Sequence, residues 1–104
     1  MNILITGDRR WNDTAIIERE LGSYNKDNDT IHHYINTGAT LFGKVVAAKM
    51  GFKTEAIIED GNLNGIDLIL AFHNYIQGSR QTLTLLAKAQ QLNIPHRVIG
   101  KDKV

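Results

Sequence analysis

Two short runs constrain the fold of this chain more than any other part of it. Met1-Asn2-Ile3-Leu4-Ile5-Thr6 and Asp67-Leu68-Ile69-Leu70-Ala71-Phe72 carry apolar side chains at consecutive positions. A strand sends successive side chains to opposite faces, so such a run has to be covered on both. Strands of this kind belong to a parallel sheet sandwiched between helices, which makes the chain α/β rather than all-β or all-α.

The rest of the chain supplies the alternation that a parallel sheet requires. Gly7-Asp8-Arg9-Arg10 breaks the first strand. Asn12 or Asp13 can cap a helix running to about Tyr24, in which Ile17, Leu21 and Tyr24 share a face. Thr30–Asn36 reads as a second strand, and its neighbours His32 and His33 point to opposite faces. Thr37-Gly38-Ala39 is a turn, Leu41–Met50 a helix stopped by Gly51, and Phe52–Ile58 a third strand. Asp67–Phe72 is the fourth strand, Ser79–Leu92 a helix with Ser79 as its cap, and His96–Ile99 a fifth strand after Pro95. With right-handed crossovers the expected architecture is one Rossmann-like three-layer domain with five parallel strands in the order 3-2-1-4-5. In that order the loops after strands 1 and 4 meet at the topological switch point, where open α/β sheets bind ligands.

One connection stands out. Only Glu59–Ile66 joins strands 3 and 4, with Gly61 and Gly65 and no helical pattern. The path to be covered is roughly 22 Å, and eight extended residues span about 27 Å. The sequence therefore predicts an almost extended loop, with no helix over the sheet at that point.

The composition of the 104 residues, 42% hydrophobic and 22% charged, suits a single folded domain, taken as residues 1–100 with a C-terminal tail at 101–104. A net charge of +1 offers no electrostatic reason to bind nucleic acid or a membrane surface. With no cysteine there is no disulfide, thiolate metal site or cysteine nucleophile, and a reducing, cytoplasmic setting is expected. No apolar stretch approaches the roughly 20 residues of a membrane helix.

Gly38-Ala39-Thr40-Leu41-Phe42-Gly43-Lys44-Val45 comes close to a Walker A loop, but Val45 stands where the chemistry needs a hydroxyl to hold Mg²⁺. The scattered histidines give no metal-ligand spacing, and Ser23 and Ser79 have no readable base partner. What remains is polar residues at strand C-terminal ends: Thr6-Gly7-Asp8-Arg9, Thr37-Gly38-Ala39-Thr40, His73-Asn74 and Ser79-Arg80-Gln81-Thr82. Helix N-termini favour anions, and Arg9 and Arg80 can supply guanidinium forks to a phosphate. Gly7 and Gly38 permit close backbone approach, and Ser79 and Thr82 can donate hydroxyls. Trp11 or Phe72 could stack on a base, although ordinary caps, surface charges and core aromatics explain the same residues.

The same segments resemble a known family. Thr6-Gly7-Asp8-Arg9 with Trp11, Gly38-Ala39, Asp67–Asn74 with Ala71-Phe72-His73-Asn74, then Ser79-Arg80-Gln81-Thr82 and Ile94-Pro95, resemble in order and spacing the small YspA-like proteins of the SLOG superfamily. The resemblance implies a Rossmann-like fold that binds a nucleotide or nucleotide-derived ligand at the strand C-terminal edge. The implied ligand-binding set is Gly7, Asp8, Arg9, Trp11, Gly38, Ala39, Thr40, His73, Asn74, Ser79, Arg80 and Thr82. There are departures. Asn36-Thr37 replaces His-Gly, Gln81 replaces a Gly, and Leu85 stands where the superfamily's phosphoribohydrolases carry a glutamate. The segment between strands 3 and 4 is also reduced. The expectation is therefore a sensor or sequestering protein for a phosphorylated small molecule, without turnover, metal or cofactor. The alternatives are a phosphoribohydrolase-like or glycosidic transferase enzyme using Asp8, and a protein-interaction module with a vestigial pocket. A homodimer is the protein partner this reading leaves open.

Overall fold

The computed structural model describes residues 1–35, 39–59, 61–73 and 80–100. Among these residues five strands and three helices follow in the order β1 (Asn2–Gly7), α1 (Thr14–Leu21), β2 (Thr30–Tyr34), α2 (Ala39–Met50), β3 (Lys53–Ile57), β4 (Leu68–Phe72), α3 (Arg80–Gln91) and β5 (His96–Ile99). The strands form one sheet in the order β3-β2-β1-β4-β5, as the sequence predicts, and every pairing is parallel.

The two doubly apolar runs are the centre of this sheet. Ile3, Leu4 and Ile5 of β1 and Ile69 and Leu70 of β4 are completely buried. Alternation along the strands sorts them into two cores. Ile3, Ile5, Ile31, Leu68, Leu70 and Phe72 pack on one face with Ile17 and Leu21 of α1 and Val46 and Ala47 of α2. Leu4, Tyr34 and Ile69 pack on the other with Leu85, Leu86 and Ala89 of α3. The molecule thus has three layers, and its Cα radius of gyration, 12.4 Å, is close to the about 13 Å usual for one domain of this length.

The β3–β4 connection differs from its sequence reading in an instructive way. β3 ends at Ile57 and β4 begins at Leu68, which leaves residues 58–67 for the crossing and room for turns. Gly61 and Gly65 take φ of +80° and +77°, the left-handed region that suits glycine. Among the described residues of this segment there is no helix, yet the sheet is not left bare. Leu63 and Ile66 bury their side chains in the α3-side core and do the covering that a helix would. The loop is tied down by the Tyr34 hydroxyl donating to the Asn62 carbonyl (3.1 Å) and by Lys88 Nζ donating to the Gly61 carbonyl (2.7 Å).

Helix ends also shift for identifiable reasons. Asp13, not Asn12, is the cap of α1, its carboxylate accepting from the Ile16 N–H at 3.1 Å. α1 stops at Leu21 because Gly22-Ser23-Tyr24 tightens into turns, although Tyr24 still packs against the core. α2 begins two residues earlier than its apolar pattern, at Ala39, and closes on Gly51 (φ +96°) with Phe52 N–H bonded back to the Ala47 carbonyl. α3 ends the same way on Asn93 (φ +59°), with Ile94 N–H bonded to the Ala89 carbonyl. β2 stops at Tyr34, short of Ile35. The expected cap Ser79, Thr37 and Gly38 of the expected Thr37-Gly38-Ala39 turn, and the tail at 101–104 lie outside the described residues, while Ala39 is the first residue of α2.

Candidate functional site

The chain leaves β1 toward the α1/α2 layer and leaves β4 toward α3, so these adjacent strands diverge at their C-terminal ends. In open α/β sheets ligands are held in the crevice above such a pair of diverging strands. Gly7 and Phe72 are register partners at its floor. A Cβ on Gly7 would come within 2.3 Å of the Phe72 carbonyl oxygen, and Gly7 has φ +150°. The space left by the missing side chain is thus already filled by the backbone of β4. The tight contact carries the Asp8 N–H to the Phe72 carbonyl at 2.9 Å.

Asp8 organises the turn above β1. Its backbone carbonyl accepts from Trp11 N–H (3.1 Å) and from Ala39 N–H (3.0 Å), the first residue of α2. Its carboxylate accepts the Arg10 N–H at 2.8 Å. The β1 turn and the start of α2 are therefore locked together, with Arg9 and Arg10 projecting as exposed residues.

His73 follows β4, with its N–H bonded to the Ile99 carbonyl at 2.9 Å. Its Nε2 lies 2.9 Å from Thr82 Oγ1, in the first turn of α3. Both side chains are buried. Burial pushes the imidazole below its ordinary value of 6.5, partly opposed by the Asp8 carboxylate. At neutral pH His73 is therefore an uncharged imidazole that can serve as donor on one nitrogen and acceptor on the other.

The distribution of buried polar groups singles out this end of the molecule. Among the described residues the buried threonine and histidine side chains are Thr6, His33, Thr40, His73 and Thr82. Thr6 and His33 stand near the ends of β1 and β2, His73 just past β4, and Thr40 and Thr82 in the first turns of α2 and α3. Burying a hydroxyl or imidazole costs free energy unless it is hydrogen-bonded, and among the described residues no buried side-chain nitrogen or oxygen lacks a hydrogen-bond partner. Here all five gather at the C-terminal half of the sheet, whereas the opposite end is closed by Asn2 and Asp67, whose hydrogen bonds join β1 to the segment before β4.

The structure brings Gly7, Asp8, Arg9, Ala39, Thr40, His73, Arg80 and Thr82 to this one edge. Gly38, Asn74 and Ser79 lie outside the described residues. Trp11 is placed otherwise than a stacking platform requires. It is 3% exposed, its ring lies 5.6 Å from that of the fully buried Phe72, and its indole N–H donates to the Asp13 carbonyl. Both rings are core. Sequence reasoning passed over Arg10, a second exposed cation on the β1 turn, although its adjacency to Arg9 was a readable signal.

The Walker-like segment has a packing explanation. A Cβ on Gly43 would stand 2.6 Å from Ile5 Cγ2, so this glycine lets α2 settle onto β1. Lys44 and Val45 are exposed on the outside of α2. His32 and His33 face opposite sides of the sheet, and among the described residues no three His, Asp or Glu side chains are grouped to hold a metal. No helix among them is long and apolar enough to cross a membrane. Set against family models, curated proteins and solved structures, the chain matches none of them.

Proposed function

We propose that this protein binds a nucleotide-derived or phosphorylated small molecule in the crevice at the C-terminal edge of the sheet, and that it does so as a sensor or sequestering protein without turnover. The observation that carries this reading is the gathering of Thr6, His33, Thr40, His73 and Thr82, buried and polar, at one end of the sheet. Arg9 and Arg80, both exposed, supply guanidinium forks to phosphate oxygens. The Asp8 carboxylate accepts from a sugar hydroxyl, and the His73–Thr82 pair holds the start of α3 against the end of β4. Membership in the YspA-like branch of the SLOG superfamily belongs to the same proposal.

The absence of turnover rests on Leu85. Its side chain is buried with Leu4 and Ile69 in the α3-side core, where a catalytic glutamate would face hydrocarbon instead of ligand. Native mass spectrometry of protein purified from its own host tests the reading. A retained, phosphorus-containing small molecule is expected. Release of a free base from nucleoside monophosphates, lost in Asp8→Asn, would transfer the assignment to the phosphoribohydrolase-like alternative.

A further inference from the structure

We infer that a second copy of this chain pairs with the free edge of β3, joining two five-stranded sheets across a two-fold axis. β3 is an outermost strand, with no strand beside its outer edge among the described residues, and such an edge offers its backbone N–H and C=O groups to any strand that can align with it. Lys53, Glu55 and Ala56 are exposed, and Ile58, immediately beyond the strand, is 86% exposed.

The sequence of the strand specifies the partner and its register. A two-fold axis normal to a continuous sheet makes the strands antiparallel and sets one residue opposite its own copy. Centring on Lys53 or Glu55 opposes like charges. Centring on Ala56 sets Glu55 opposite Ile57. Centring on Thr54 sets Lys53 of each copy opposite Glu55 of the other, twice, with Thr54 facing Thr54 between them. Opposite-charge and Thr–Thr pairs directly across an antiparallel ladder are both favourable. Lys53 and Glu55 are two residues apart and share a face, so the two ion pairs form on the same side of the joined sheet. In that arrangement Glu55, now 3.9 Å from His32, gains a cation from the second copy. The other outer strand, β5, carries His96 and Arg97 and no acid, so no self-pairing of β5 offers an ion pair.

Sedimentation of the intact chain, together with charge reversals, tests the inference. The wild type is expected to sediment as a dimer. Lys53→Glu or Glu55→Lys alone makes the opposed residues alike and weakens association by about tenfold or more. The double reversal, K53E with E55K, restores opposite pairs and the dimer. Because the chain has no cysteine, Thr54→Cys provides a register test. Residues opposed across the axis fall within disulfide reach, so this variant is expected to cross-link to itself on oxidation, whereas Lys53→Cys, off the axis, is not. Circular dichroism of each variant checks that the fold persists. A wild-type chain that stays monomeric up to about 1 mM would overturn the inference, leaving the alternating charges as guards of a solitary edge. A dimer indifferent to both single reversals, with no Thr54→Cys cross-link, would overturn it as well.

Discussion

Gly7 approaches Phe72 so closely that the Phe72 carbonyl oxygen occupies the position a Gly7 side chain would need, 2.3 Å from a Cβ built there. This contact sets the spacing of β1 and β4 at the mouth of the crevice. Substituting Gly7→Ala therefore adds a steric conflict with backbone, which cannot rotate away, to an unfavourable φ of +150°. Backbone strain and overpacking each cost about 1–3 kcal/mol. Each kcal/mol lowers the melting temperature of a domain this size by roughly 4–8 °C. Thermal denaturation should show Gly7→Ala melting at least about 10 °C below wild type. Unchanged melting would mean that the contact is not what sets the strand spacing.

Gly43 on α2 poses a different conflict. Gly→Ala inside a helix ordinarily gains up to about 1 kcal/mol, but here the new Cβ meets Ile5 Cγ2 at 2.6 Å in a fully buried position. The side chain cannot yield without disturbing the core, so overpacking outweighs propensity. Gly43→Ala should destabilise by about 1–2 kcal/mol. In an Ile5→Ala background the same change should become neutral or favourable. A double-mutant cycle in denaturant measures this, and additive effects would contradict it.

His32 and His73 both sit below the ordinary imidazole value of 6.5, chiefly through burial. For His32, Glu55 and Asp67 oppose the shift while His33 and Lys53 add to it, and for His73 Asp8 opposes it. A histidine whose folded value is depressed takes up its proton more readily when unfolded. Stability is therefore fully present above 6.5, falls as the pH drops below it, and stops falling through these groups once the folded values are passed. Urea denaturation at a series of pH values should show this decline. His32→Asn combined with His73→Gln should flatten it between pH 6.5 and the acid limb set by the carboxylates. An equal slope in that variant would assign the effect to other groups.

Much of the fold was legible because it follows from local pattern. Ile3-Leu4-Ile5 and Leu68–Phe72 announced a doubly covered sheet, and the alternation of elements gave its order. The β3–β4 connection was less legible. Leu63 and Ile66, isolated among glycine and asparagine, show no periodicity, and their covering role exists only once Leu4, Tyr34 and Ile69 are beside them. The site divides in the same way. Which turns converge could be read from strand order. That Trp11 turns inward onto Phe72, and that the space at Gly7 belongs to β4, are consequences of tertiary contact that no residue type encodes.

The proposed binding of a phosphate-bearing ligand between the β1 turn and α3 is measured by thermal-shift titration of wild type and Arg80→Ala. The panel should include nucleoside mono- and diphosphates, cyclic dinucleotides and ADP-ribose derivatives. A ligand at 100 times its dissociation constant stabilises by about 2.7 kcal/mol, which at roughly 4–8 °C per kcal/mol is a shift on the order of 10 °C or more. Arg80 is exposed in the first turn of α3, so its replacement should move the unliganded midpoint by no more than about 0.5 kcal/mol. A shift of that size is expected in wild type, with most of it lost in Arg80→Ala. A shift undiminished in Arg80→Ala would contradict the placement of the phosphate, and no shift across the whole panel would contradict the binding itself.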